Sequence, residues 1–248
     1  GAPVPSEKGL NQLQMMDAAF SGKLKAMWVI GYDVFLTNAN AHKTRAGFEN
    51  LELCIVQDMF LNETAKNFAN VFFPVASSFE KDGTFMNAER RVSLLRKAIE
   101  PRGNSRTDWE IICDMAKSFG KGRHFNFGSS EEIWNEIRRV WPNAKGITYK
   151  RIEKHGLQWN CPDEDHPGTE ILHTESFAKQ VTAALRRIEF RPTKEIVSDD
   201  YPFLLTTGRA LYHFNAGTMT ERTPNLELRP SDLLEICHED AARIGVVN

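Results

Sequence analysis

The sequence predicts an α/β protein: a parallel sheet with helices on both faces, then an irregular connector, then a new unit that begins at Tyr201. Three observations carry this. Between Ala26 and Val75, short apolar runs alternate with segments of helical period, the β-α-β-α-β rhythm of parallel strands joined by crossovers. From Pro142 to Asp200 the period is lost, and Gly146, Gly156, Pro162, Pro167, Gly168 and Pro192 punctuate the chain. Apolar runs return at Phe203–Thr206 and Leu233–Cys237. The expected units are residues 1–125 as an α/β ligand-binding region, 126–199 as a helix and connector, and 200–248 as a further unit with strands of its own.

Each element has a local cause. Leu10, Leu13, Met16, Ala19 and Phe20 recur at helical spacing up to Ser21, and Gly22 supplies a stop. Ala26–Ile30 reads as a buried strand. A helix over Ala41–Asn50 leads to strand Leu51–Val56, and a short helix over Glu63–Phe68 leads to strand Val71–Val75. Right-handed crossovers place all the strand-end loops on one rim. Asp82-Gly83 is a tight-turn dipeptide, after which Thr84–Leu95 alternates too poorly for a central strand and reads as an extended excursion. Arg106 or Thr107 caps a helix reaching Phe119, which Gly120 and Gly122 end. Ser129-Ser130-Glu131-Glu132 starts another, turns Ile133, Trp134, Ile137 and Val140 inward, and stops at Pro142. A last helix covers Glu239–Arg243.

Composition excludes several classes. With 248 residues the chain can bury a substantial core. Its formal charge of -2 and scattered basic pairs (Arg90-Arg91, Arg138-Arg139, Arg186-Arg187) provide no cationic stripe for nucleic acid. Cys54, Cys113, Cys161 and Cys237 are far apart with no C-x-x-C pair, so neither a zinc site nor an iron–sulfur cluster is expected. Cys161 and His166 together are too few for a metal, and the cysteine usage suits a reducing cytoplasm. No apolar run is long enough to cross a bilayer, and the start lacks a signal-peptide pattern. Gly1–Ser6 reads as a linker, and both ends read as those of a piece of something larger.

The residues suited to binding gather at predicted strand ends, where open α/β sheets hold nucleotide-like ligands. Gly31 lets backbone approach a ligand closely after the first strand. Asp58 follows the second strand. It either accepts a planar pair of donors, such as N1 and N2 of guanine, or caps the helix that starts near Asn62. Asn62 adds a polar contact. Asp82 brings a further carboxylate, and Asp108 is either a ligand contact or a first-turn residue favoured by the helix dipole. Trp109 walls a base pocket or fills core. Thr207, Gly208 and Arg209, with His213, Asn215, Thr218 and Thr220, gather hydroxyls, a guanidinium and an imidazole suited to an oxygen-rich ligand. The three-glycine dinucleotide fingerprint is missing, and no nucleophile–base set occurs at a usable spacing, so no catalytic residue and no metal ligand is assigned.

Taken in order, these motifs resemble the large subunit of molybdopterin-guanine-dinucleotide oxidoreductases, most closely the formate dehydrogenase alpha subunit. The resemblance rests on the strand ending Gly31-Tyr32-Asp33, on Val56-Gln57-Asp58-Met59-Phe60, on Glu80-Lys81-Asp82-Gly83-Thr84-Phe85 with Asn87, Glu89 and Arg90, and on Thr107-Asp108-Trp109-Glu110-Ile111. It continues through Leu205-Thr206-Thr207-Gly208-Arg209 and Gly217-Thr218-Met219-Thr220. Gln158-Trp159-Asn160-Cys161-Pro162 and Asp165-His166-Pro167-Gly168-Thr169 narrow it toward formate dehydrogenases, because nitrate reductases share only the first of these. The likeness spans nearly all of this chain and about the middle-to-late third of a full family member.

The resemblance implies a formate dehydrogenase/DMSO reductase-like fold, in which residues 200–248 are the start of a C-terminal β-barrel domain that caps the cofactor. It implies a bis-molybdopterin guanine dinucleotide carrying molybdenum or tungsten, and formate oxidation to carbon dioxide in the intact enzyme. Asp58 and Asp108 become guanine or ribose contacts, Asn62 stands where the family more often has threonine, and Arg209 with His213 matches a segment lying against the pterin. The family's metal ligand, catalytic histidine and arginine, and iron–sulfur cysteines have no counterpart here, so the iron–sulfur cluster belongs to the parent and the isolated chain is expected to be inactive. Implied partners are the remaining domains of the same subunit and electron-transfer iron–sulfur or flavin subunits. The sequence departs from the pattern at Tyr32-Asp33-Val34, where an acidic or small residue and then proline are usual, and at Phe177–Phe190, which lacks a Pro-Asp-Gly turn. Two alternatives stand: a nitrate reductase-like member of the same family, and a stand-alone, non-catalytic pterin-nucleotide-binding module.

Overall fold

Side-chain capping sets where the first helix begins. In the computed structural model, which describes residues 6–175, 177 and 182–247, Asn11 accepts from the Gln14 amide while the Gln14 side chain accepts from the Asn11 amide. This capping box starts α1 (Gln12–Phe20). β1 (Ala26–Ile30), β2 (Leu53–Asp58) and β3 (Val71–Pro74) form a parallel sheet in that order, with Val29 opposite Val56 and Val56 opposite Phe72. The connections are α2 (Val34–Thr37) and α3 (Ala41–Glu49), then α4 (Glu63–Phe68). Because both crossovers step the same way across the sheet, their helices share one face.

That face is the main core. Met16 and Ala19 of α1, Val34, Phe48 and Ala65 pack on Val29, Cys54 and Val56, and Phe48 stacks on Phe68 with ring centroids 5.0 Å apart. Burial pushes the Cys54 thiol up to about 11, as suits a small hydrophobe. Strand side chains alternate, so Val56 and Asp58 point one way and Gln57 the other. On Gln57's side, Val75 bridges to Arg106 and α5 (Asp108–Ser118) begins, so a helix starts beside the second face as well.

A second, antiparallel sheet follows. β4 (Gly83–Met86) pairs with β5 (Arg91–Leu95), and β6 (Leu157–Gln158) adds to β5. The extended excursion expected over Thr84–Leu95 is a paired hairpin, and its turn lies at Asn87–Arg90, after the Asp82-Gly83 dipeptide. The reason is side-chain chemistry: Asn87 Oδ1 accepts from the Glu89 and Arg91 amides, and Arg90 adopts φ +67°. α6 (Ser130–Val140), capped by Ser129, turns Trp134 onto Val92, Ile147 and Ile152, and Trp134 Nε1 donates to the Ile147 carbonyl at 2.7 Å.

The Gln158–Thr169 segment is held by two arginines through its main chain. Arg90 donates to the Trp159, Thr169 and Glu170 carbonyls, and Arg151 to the carbonyls of Gly146, Asp163 and His166 and to the fully buried Cys161 Sγ. The loop closes so tightly on Gly146 that a Cβ there would stand 1.8 Å from the Asp163 carbonyl oxygen. These motif residues thus fix a loop.

The last unit differs from expectation. Among the described residues of 182–247 there is no strand, so the strands expected at Phe203–Thr206 and Leu233–Cys237 do not form. A barrel strand needs neighbours to pair its amides and carbonyls and to cover its side chains; here Leu205 and Leu234 stand 81% and 69% exposed. The expected helix does form as α8 (His238–Ile244), preceded by α7 (Asn225–Leu228). Gly1–Pro5 of the expected linker, residues 178–181 of the departing segment, and Asn248 lie outside the described residues.

Candidate functional site

The carboxyl ends of β1 and β2 open onto a cavity of about 340 Å³. Gly31, Asp58, Asn62, Asp108, Asn215 and Thr218, six of the residues expected at a site, line it together with Asp33 and Lys81. Gly31 sits at φ +61°, which turns the chain out of β1 at a conformation that costs glycine little. A Cβ there would meet nothing within 4 Å, so backbone conformation and not crowding within the chain calls for glycine.

Asp33 is a buried fastener. Its Oδ1 accepts from the Thr64 amide at 3.0 Å, the Thr64 hydroxyl at 2.7 Å and the Leu36 amide at 3.4 Å, and its Oδ2 accepts from the Glu63 amide at 3.0 Å. The carboxylate thereby satisfies the open N-termini of both α2 and α4.

Asp58 has a different state. Asn62 is the residue that caps α4, accepting from the Ala65 amide at 2.9 Å, so Asp58 is free of that duty. Asn62 Nδ2 instead donates to Asp58 Oδ2 at 3.0 Å, and the Phe60 amide donates to Oδ1 at 3.1 Å. Each carboxylate oxygen keeps acceptor capacity toward the cavity. Burial pushes the Asp58 carboxyl above the usual carboxylate range and the Asp33 charge adds to this, while the hydrogen bonds from Phe60, Met59 and Asn62 pull against it.

Asp108 is not the cap of α5 either. Thr107 donates through its amide and hydroxyl to Glu110 Oε2 at 3.0 and 2.7 Å, leaving the Asp108 carboxylate to face the sheet. There Gln57 Nε2 donates to Oδ1 at 3.0 Å and Lys81 Nζ to Oδ2 at 2.8 Å. Gln57 is fully buried, and its Oε1 has no partner among the described residues. Among the described residues, Lys81 is the one cation lining the cavity.

The remaining expected residues lie elsewhere. Asp82 lines a neighbouring cleft of about 290 Å³ beside Phe85, Trp109, Trp134 and Tyr149, and accepts from the Lys97 amide at 2.8 Å. Thr207, Gly208, Arg209 and His213 do not line the cavity. Arg209 donates to Asn215 Oδ1 at 2.8 Å, while His213 lies 3.1 Å from Thr220 Oγ1 and 2.9 Å from the Arg229 carbonyl. These two residues support the loop Phe214–Met219, which supplies the cavity's far wall. Sequence reasoning missed Asp33, Gln57 and Lys81. Each adjoins or lies near a singled-out residue, but only the fold reveals what each one touches.

Comparison with known proteins points to one family. The molybdopterin oxidoreductase family matches residues 3–118. The chain is 42% identical over 243 residues to the F420-dependent formate dehydrogenase subunit alpha of Methanocaldococcus jannaschii, covering 97% of this chain and 36% of that protein. It is 37% identical to the assimilatory nitrate reductase catalytic subunit of Bacillus subtilis, covering 96% of this chain and 35% of that protein. It is 32% identical to formate dehydrogenase H of Escherichia coli, covering 98% and 34% respectively. The chain thus spans about a third of the length of these curated relatives.

Proposed function

The chain belongs to the molybdopterin oxidoreductase family, and from that premise we propose that it is a cofactor-binding part of a formate dehydrogenase-like enzyme. In this reading the cavity at the ends of β1 and β2 takes the guanine end of a molybdopterin guanine dinucleotide. The observation that carries it is Asp58: a half-buried carboxylate, fixed by Phe60 and Asn62, with acceptor capacity left on both oxygens. Guanine presents two adjacent N–H donors on one edge, which match a carboxylate in the fork geometry that strong charge-assisted pairs adopt.

The other residues fit the same group. Lys81 offers ammonium protons beyond the one given to Asp108, for a ribose or phosphate oxygen. Gln57, fully buried, donates through Nε2 to Asp108 Oδ1 and so holds that carboxylate in its place at the cavity. Asp33 holds the rim and Thr218 closes the far side. The bound pterin would carry the molybdenum or tungsten that performs the two-electron oxidation of formate to carbon dioxide, while this chain binds and orients the nucleotide end and excludes water around it.

In the whole enzyme we place residues 200–248 at the start of a barrel whose other strands lie outside this chain. The same reading assigns the iron–sulfur cluster to the parent, electron-transfer subunits as partners, and a cytoplasmic location. Among the described residues no helix is long and apolar enough to cross a membrane, and no group of three His, Cys, Asp or Glu side chains is arranged to hold a metal ion.

A second reading, a nitrate reductase-like parent, is favoured by the similarity to the Bacillus subtilis enzyme. Its weight rises because Asp165–Thr169, the motif that points toward formate, is pinned through its main chain and lines neither cavity. Formate and nitrate turnover by a protein of the relatives' full length decides between the two. For the chain itself, calorimetric titration with guanosine diphosphate tests the cavity: saturable binding lost in Asp58→Ala supports the reading, and no binding at millimolar nucleotide refutes it. Binding with no turnover in any longer form of the protein would favour the stand-alone module.

A further inference from the structure

Among the described residues, no hydrogen bond and no ion pair joins residues 182–247 to residues 6–175, although Phe214, Asn215 and Thr218 line the cavity. The segment is instead stitched to itself. The Arg229 carbonyl can only accept, so His213 Nε2 carries its hydrogen toward it at 2.9 Å. His213 Nδ1 lies 3.1 Å from the Thr220 hydroxyl oxygen, which accepts from the Phe214 amide at 3.1 Å. Asn225 Nδ2 donates to the Tyr212 carbonyl at 3.0 Å, and Arg222 Nε to the Thr218 carbonyl at 3.0 Å. The polar contact that crosses to the α/β unit is Arg222, whose guanidinium lies 5.5 Å from the centre of the Phe60 ring, two residues beyond Asp58.

We propose that residues 213–229 form a preassembled strap that closes the cavity as one unit, latched by Arg222 on Phe60 and held in its closing shape by the His213–Thr220 clasp. His213 is then a positioning residue. The inference rests on the nucleotide reading of the cavity and adds how that site is gated. Opening the strap breaks no hydrogen bond to residues 6–175; it separates the apolar wall and releases the latch, and the strap's own hydrogen bonds then open more often. A ligand that touches both walls favours the closed state by its differential contacts, which is how such closures couple to binding.

Hydrogen exchange followed by mass spectrometry on the whole 248-residue chain tests this, with guanosine diphosphate as the probe. Without nucleotide, Arg222→Ala is expected to speed exchange across 213–229 and leave β2 unchanged, while Thr220→Val speeds exchange at the Phe214 amide. Saturating nucleotide should slow the strap in the wild type, and Arg222→Ala should weaken binding about fivefold, the size of an exposed cation–π contact. Unchanged strap exchange in nucleotide-free Arg222→Ala overturns the latch, and nucleotide binding that leaves the strap's exchange untouched overturns the gate. If the wild type binds no nucleotide, the cavity reading fails, and the nucleotide-free comparison still decides the latch.

Discussion

Replacing Asp58 by asparagine separates binding from folding at one atom. The introduced amide would keep an oxygen for the Phe60 amide, but its NH2 would face Asn62 Nδ2, which cannot turn because Asn62 Oδ1 is committed to the Ala65 amide. One hydrogen bond is lost, about 1 kcal/mol, and a charge that burial penalises is removed, so the two effects oppose each other. Net stability near neutral pH should therefore change by no more than about 1 kcal/mol. Binding should suffer far more: one of two charge-assisted acceptors becomes a donor facing a donor. At roughly 1.5–3 kcal/mol for such a bond, guanine-nucleotide affinity should fall about 10- to 100-fold. The pH dependence has a definite sign. Asp58 has a raised carboxyl pKa in the folded protein, so its contribution to stability is complete below the unfolded value of about 3.9 and is lost as pH rises through the raised value. Asp58→Asn should lack that component. Calorimetric titration and thermal melts at several pH values read both quantities. Nucleotide affinity within twofold of wild type, or a stability loss beyond about 3 kcal/mol, would refute the reasoning.

Further consequences follow from the same geometry. Asp33→Ala removes the acceptor for four donors at the starts of α2 and α4 and should cost about 3–5 kcal/mol, read by urea denaturation; a loss below about 1 kcal/mol would contradict its role as a fastener. Arg151→Met strands the carbonyls of Gly146, Asp163 and His166 and should destabilise by about 2–4 kcal/mol while leaving nucleotide affinity unchanged; an affinity loss would instead tie the Asp165–Thr169 motif to the site. Glu80 accepts from the Ser77 and Arg102 amides, and the Ser77 bonds above all hold its carboxyl below the usual range. Its stabilising effect is present above the unfolded value of about 4.3 and is lost as pH falls through the lower folded value, so Glu80→Gln should flatten the acid side of the stability curve measured by thermal melts.

How much of this was legible in the sequence depended on whether a residue's role was local. The helix caps at Thr107 and Ser129, the strand Ala26–Ile30 and the helix Glu63–Phe68 emerged as expected, because apolar spacing and capping chemistry act within a few residues. The β4–β5 turn was missed because Asn87, without a glycine, supplies the turn through its side chain. Gly31, Asp58, Asn62, Asp108 and Thr218 were named as candidates from the sequence, and the fold gathers them at one cavity. What they do there was not readable: whether Asp58 or Asn62 caps α4 depends on a side-chain rotamer, and the Asp108 partners Gln57 and Lys81 come from 51 and 27 residues away. His213 and Arg209 looked like ligand contacts because polar side chains on a loop resemble a site; their hydrogen bonds go to the loop itself. The strands expected near Phe203 and Leu233 need neighbours that the described residues do not supply.

The most direct test of the central claim is a competition among three diphosphates that differ only in the base edge facing Asp58: guanosine, inosine and adenosine diphosphate, titrated into the wild-type chain. Guanosine diphosphate presents two adjacent donors, inosine diphosphate one, and adenosine diphosphate none at that pair of positions. The account predicts affinity falling in that order, with about tenfold or more lost when the 2-amino group is removed. Equal affinity for guanosine and adenosine diphosphates would contradict it, because phosphate and ribose contacts alone would then explain the binding and Asp58 would read no base.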